Sequence, residues 1–130
     1  MTLSIRIFLF LAAATLVGIG ATIAFVPHVI YADGGMPDNL MAVSDIRSAG
    51  SLLLTLGVCV FAAGLRLIPV RFALIVSAIT FLSYGMGRVL SVGLDGFSGS
   101  SIYAIAGLEW ALGIAALGAL FVLRSNRSET

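Results

Sequence analysis

Glu109 is the only charged residue in an apolar stretch that runs from about 102 to 123. A carboxyl group held at membrane depth costs about 2.5–3.5 kcal/mol on insertion scales, so such groups normally face a protein interior and pair with a cation. The groups placed at comparable depth in their own segments are Arg88, Arg47 and Asp45. Arg88 is the first candidate partner for Glu109 and Arg47 the second, because a guanidinium can fork onto a carboxylate through two parallel hydrogen bonds. Asp45 lies two residues before Arg47 and projects about 200° away from it round a helix, so it need not pair with it. Thr80, Tyr84 and Arg88 follow one another at four-residue steps, as do Glu109 and Gly113, which puts each set on one helical face. Together Asp45, Arg47, Tyr84, Arg88 and Glu109 make a candidate polar pocket at one end of a helical bundle. Such a cluster can serve as a structural ion-pair network that fixes helix register. The alternative is a ligand or proton site open to the outer leaflet.

Other chemistry has little to work with. His28 is the single histidine and Cys59 the single cysteine, so no paired His or Cys set exists for zinc, haem, copper or an iron–sulfur cluster. No metal, no cofactor and no enzymatic activity are expected. Cys59 sits in an apolar run and reads as a small hydrophobe. His28, beside Pro27, reads as an interfacial or capping residue, and Trp110, Tyr31, Tyr84 and Tyr103 as interface or packing aromatics. Gly18, Ile19 and Gly20 form no nucleotide loop, because no strand precedes them. The seven basic residues are all arginines and the net charge is +1, which provides no basic stripe for a phosphate backbone. Nucleic acid is therefore excluded as an expected partner.

The elements that must carry these residues are long apolar helices. The 130 residues are 60% hydrophobic and 10% charged, whereas a soluble domain carries about 25% charge. A helical span needs about 20 apolar residues to cross a hydrocarbon core about 30 Å thick. Four stretches meet or approach that length: 7–26, 48–65, 72–87 and about 102–123. They predict helices at about 5–26, 40–66, 70–90 and 102–123, in one all-α domain covering 1–130, a four-helix transmembrane bundle. The third stretch is short, so Arg88 is expected to close the outer end of its helix, with a Gly- and Ser-rich connection over 91–101. The first stretch is longer than the 7–15 residues typical of a signal-peptide core and is expected to be retained as a helix.

Pro69 marks a short link that makes the second and third helices an antiparallel hairpin, while Asp33, Gly34, Gly35, Pro37, Asp38 and Asn39 supply turn chemistry before the second helix. Gly50, Gly57 and Gly64 repeat every seven residues and leave one face of that helix without side chains, so that a neighbour can approach closely. With four crossings, Arg6, Arg66, Arg71, Arg124 and Arg127 fall on one side and Arg47 and Arg88 on the other. Positive charge concentrates in the cytoplasm, so both termini are expected inside.

The order and spacing of these residues resemble a known bacterial family of small four-helix membrane proteins, domain of unknown function 4345. The likeness rests on Asp45, Ile46 and Arg47 opening a Gly-rich second helix, Gly87 and Arg88 closing the third, Asp95 and Gly96 in the following loop, and Glu109 in the fourth. It covers nearly the whole chain, from the first helix to Arg124. The family often has Glu where this chain has Asp45, and a Tyr where it has Ala49. The resemblance implies the four-helix architecture and marks Asp45, Arg47, Arg88 and Glu109 as the family's polar residues; it implies no established activity.

The expected role is that of a multi-pass protein of the bacterial inner membrane without catalytic chemistry. It would act as an accessory or assembly subunit through helix contacts with a membrane-protein partner or with itself. Two alternatives use the polar pocket instead: binding or carrying a small amphiphile such as a lipid or quinone, and proton-coupled transport through Glu109.

Overall fold

The computed structural model of the protein describes residues 2–30, 40–95 and 100–125. Within them the fold is all α: α1 (Leu3–Phe25), α2 (Pro27–Ile30), α3 (Leu40–Gly64), α4 (Val70–Asp95) and α5 (Ser100–Ser125). Four of these, α1, α3, α4 and α5, are long and apolar enough to cross a membrane. Large apolar side chains such as Leu11, Leu52, Phe72, Ile79, Leu117 and Phe121 are exposed along all four. Such a surface suits hydrocarbon, in which a helix also satisfies every backbone polar group within itself. The turn residues Asp33, Gly34, Gly35, Pro37, Asp38 and Asn39, together with Tyr31, Gly96 and Arg127, lie outside the described residues.

Helix ends follow local chemistry. Pro27 has no N–H and disfavours helical backbone at the residue before it, so α1 stops at Phe25 and Pro27 opens α2. At the end of α3 the Arg66 N–H reaches the Ala63 carbonyl (2.9 Å) and the Leu67 N–H the Ala62 carbonyl (2.9 Å), while Arg66 takes a left-handed φ of 67°. This is a Schellman cap with arginine in the place that glycine usually fills. The Pro69 carbonyl then accepts from Phe72 (3.0 Å) and Ala73 (3.4 Å) to start α4.

The third helix departs from expectation. Arg88 does not close it: α4 continues for nearly two more turns to Asp95, through much of the segment expected to be a connection. Arginine is a good helix former, no proline follows, and Val89, Leu90, Val92 and Leu94 extend the apolar composition. The membrane-length segment becomes Val70–Leu94, with Arg88 inside it.

The chain divides into two compact units, Arg6–Ile68 and Met1–Ile5 with Pro69–Thr130. In the first, α1 and α3 pack antiparallel along a glycine seam. A methyl group placed on Gly50 would stand 2.8 Å from the Ile23 side chain, one on Gly57 2.8 Å from Val17, and one on Gly64 2.8 Å from the Phe10 ring. Each step of seven along α3 thus matches a step of about seven back along α1, the repeat of a left-handed coiled coil. Gly20 returns the fit from α1, where an added methyl would meet the backbone of Gly50, Leu53 and Leu54. Below this crossing the Phe10 and Phe61 rings lie 5.4 Å apart, tilted by 57°.

In the second unit α4 and α5 also run antiparallel, with paired small and large residues. Gly85 faces the Trp110 indole, and Gly113 faces the Leu82 side chain. The two glycines accept the large residues of the opposite helix, so the backbones approach closely without a void.

Candidate functional site

The α4/α5 seam carries the buried acid. On α5, Glu109, Gly113 and Ala116 are buried and share the face turned to α4. Glu109 is 6% exposed. Arg88 reaches it from α4, donating from Nε to Oε2 at 2.8 Å. Arg88 stands about 10 Å along the helix from Asp95, and Glu109 about 13 Å from Ser100, so both lie within their membrane-length segments at similar distances from the α4/α5 connection.

The contact is made through one nitrogen, not through the two-pronged fork that arginine also offers carboxylates. The Arg88 side chain is 31% exposed against 8% for that of Glu109, so the acid is the more enclosed partner. Such a pair cancels charge at membrane depth and fixes the register of two helices. Its net contribution to stability is small relative to the penalty for breaking it, because loss of one partner strands the other.

Along the same face of α4, Tyr84 is half-buried one turn before Arg88, Thr80 is buried one turn earlier, and Ser77 is fully enclosed. Among the described residues the Ser77 hydroxyl is the one buried side-chain polar atom without a hydrogen-bond partner.

The two remaining residues of the expected cluster, Asp45 and Arg47, belong to the other unit. Asp45 is exposed. Arg47, the expected second partner for Glu109, directs its described hydrogen bonds elsewhere: its Nη1 donates to the Ala24 carbonyl at 2.6 Å and to the Phe25 carbonyl at 3.4 Å. The last carbonyls of a helix have no partner within it and carry partial negative charge, and Pro27 brings no N–H to that turn. Arg47 therefore serves as a C-cap for α1, supplied by α3. The sequence held a signal for this role in Pro27, which leaves the end of α1 short of donors; which cation would answer it is set by the α1/α3 register. Gly50, Gly57 and Gly64 lie on the face of α3 that α1 covers. His28 is exposed on α2, Cys59 half-buried on α3, and Tyr103 exposed near the start of α5.

Among the described residues no three His, Cys, Asp or Glu side chains are grouped to hold a metal ion. What the α4/α5 arrangement offers is charge neutralisation inside a span, terminal guanidinium nitrogens beyond the Nε contact, and a row of hydroxyls leading away from the pair along α4.

No curated protein and no solved structure shows significant similarity to the chain. The domain of unknown function DUF4345 matches residues 4–120, from the start of α1 to the last turns of α5, and so includes Asp45, Arg47, Tyr84, Arg88 and Glu109. Four membrane-length helices and a match over most of the chain agree in kind: this is a membrane protein belonging to the DUF4345 family.

Proposed function

We propose that the protein is a non-catalytic subunit of the bacterial inner membrane that acts by helix contact, crossing four times with both termini in the cytoplasm and binding another membrane protein through α5. The observation that carries this reading is the outward face of α5. Only 17% of its most apolar 18-residue stretch is buried, against 39%, 28% and 39% of the corresponding stretches of α1, α3 and α4. Ala104, Gly107, Ala111, Ala115 and Gly118 are all exposed, and their spacing puts them on one face, opposite Glu109, Gly113 and Ala116. A face meant only for acyl chains has no need of small residues, and each glycine in a helix costs about 1 kcal/mol relative to alanine. Small residues do serve a second helix, whose backbone they allow to approach.

Gly107 and Gly118 have nothing within 4 Å of an added methyl group, so a larger side chain there leaves the chain's own packing alone. Tagged protein extracted in mild detergent should copurify with a membrane-protein partner, and Gly107→Leu with Gly118→Leu should abolish this without lowering the yield of folded chain. A particle containing only this chain, unchanged by the double substitution, would refute the reading.

A second reading, binding of a small amphiphile at the ion pair, is favoured by one observation: Arg88 engages Glu109 through Nε alone, and its side chain remains partly exposed. Its terminal nitrogens would then hold the polar head of a lipid or quinone. Solvent extraction and mass spectrometry of wild type and Glu109→Gln test it; no bound species in either sample would end it.

A further inference from the structure

Each helical pair carries two arginines at one end. In the α4/α5 seam Leu82 faces Gly113, and eleven residues further along each helix, back on α4 and forward on α5, stand Arg71 and Arg124. Eleven residues make close to three turns, so these arginines lie level with each other and on the sides that face the seam. In the other unit the Phe10 ring of α1 packs against Gly64 of α3. Arg6 lies one turn beyond that level, its guanidinium carbon 5.7 Å from the centre of the Phe10 ring, and Arg66 lies two residues beyond it on the α3 side. All four arginines are exposed, and among the described residues none of them pairs with an acid. The described acids lie elsewhere: Asp45 in the second turn of α3, Asp95 at the far end of α4, and Glu109 inside α5.

Three features of this placement cost stability in the chain alone. Like charges set level across a seam repel. Arg6 and Arg71 sit in the first turns of α1 and α4, where the helix end is already positive and no acid is present. Arg66 holds a left-handed φ of 67° at a position where glycine would be relaxed. A bound anion offsets the first two costs and gives the third a reason, since only a side chain can reach it. The surroundings say which anion: Leu67, Phe72 and Phe121 are exposed apolar side chains beside Arg66, Arg71 and Arg124. They put the guanidinium groups at the edge of the hydrocarbon, where lipid phosphates lie.

We infer that each arginine pair binds the phosphate of an anionic phospholipid, Arg71 with Arg124 in one unit and Arg6 with Arg66 in the other. A guanidinium forks onto phosphate oxygens through two parallel hydrogen bonds, while the acyl chains meet Phe72 and Phe121 in the first site and Leu67 in the second. A zwitterionic lipid offers the same phosphate but brings its own cation, so both sites select net negative charge. The inference does not rest on the α5 contact, whose small residues lie on the opposite face of that helix from Gly113 and Arg124.

The test uses the full chain in detergent with an equimolar mixture of phosphatidylglycerol and phosphatidylcholine of the same acyl composition, and native mass spectrometry counts the lipids that the protein retains. Wild type should retain phosphatidylglycerol over phosphatidylcholine by at least fivefold, and inorganic phosphate at millimolar concentration should not displace it. Arg71→Gln with Arg124→Gln, and separately Arg66→Gly, should each remove about half of the retained phosphatidylglycerol; the three substitutions together should abolish the preference. Arg66→Gly relaxes its own backbone, so a thermal midpoint that is unchanged or raised in lipid-free detergent separates lost lipid from lost fold. Equal retention of the two lipids by wild type, a preference unchanged in either variant or surviving the triple substitution, or displacement by free phosphate would overturn the inference.

Discussion

Gly85 of α4 sits directly beneath the indole of Trp110 on α5, and one turn away Gly113 of α5 sits beneath Leu82 of α4. Each helix lends the other a gap and a filler, so the Arg88–Glu109 bond beside them forms between backbones already held close. Gly85→Ala drives a methyl group against the edge of the Trp110 indole and should destabilise by about 1–3 kcal/mol, since the ring must shift to admit it. Gly87→Ala, with nothing near the new methyl, should stabilise by up to about 1 kcal/mol through helix propensity. Unfolding midpoints of the two variants in mixed micelles check the contrast in sign.

The α1/α3 seam is less forgiving. A methyl group on Gly20 would meet the backbone of Gly50, Leu53 and Leu54, and backbone has no rotamer by which to move aside. Gly20→Ala should therefore force the helices apart at a cost of about 3 kcal/mol, at the upper end of the range for overpacking. Gly18→Ala, two residues away in open space, should leave stability unchanged or slightly raised. Reversible unfolding of both variants measures the difference.

Arg47 joins α3 to the end of α1 through two carbonyls that have no donors of their own kind to spare. Arg47→Met retains an apolar stem but removes the donor, and should cost about 1–3 kcal/mol, the range for a hydrogen bond from a charged group. Arg47→Lys should recover part of this, because a cation still complements the helix end while the planar geometry is lost. The order wild type, Lys, Met in thermal midpoint is the expected outcome.

Arg66 holds a left-handed backbone that strains any residue with a side chain. Arg66→Gly removes that strain and should stabilise by about 1 kcal/mol. A differential scan of the purified variant reads it directly.

The four membrane-length helices were legible because long apolar runs have few other uses, and the face of α3 that α1 covers was legible because Gly50, Gly57 and Gly64 recur at the interval a packed helix needs. The length of α4 was not. An arginine in sequence looks like a boundary, and only the presence of Glu109 on the neighbouring helix makes it an interior residue. Arg88 as the partner of Glu109 followed from matching depths, but Arg47 as a cap for α1 did not. The shortage of donors created by Pro27 is visible in the sequence, whereas the residue that meets it depends on the α1/α3 register. For the same reason Gly20 and Gly85 carried no distinct signal, and the spacing of Gly113 from Glu109 gave its face but not its partner Leu82: each matters for what stands opposite, and period alone does not reveal that. Trp110 read as an interface or packing aromatic, and its ring packs on Gly85.

The ion pair is the feature on which the rest of the site depends, and a double-mutant cycle on Arg88 and Glu109 tests it most directly. Arg88→Met strands a carboxylate that is 6% exposed and should cost about 3–5 kcal/mol. Glu109→Gln leaves a partly exposed guanidinium and should cost less, about 1–3 kcal/mol. With both changes in one chain the total should fall short of the sum by at least about 1 kcal/mol, the coupling expected of residues in contact. Unfolding free energies that add to within about 0.5 kcal/mol would show that the two side chains act independently, and would contradict the account.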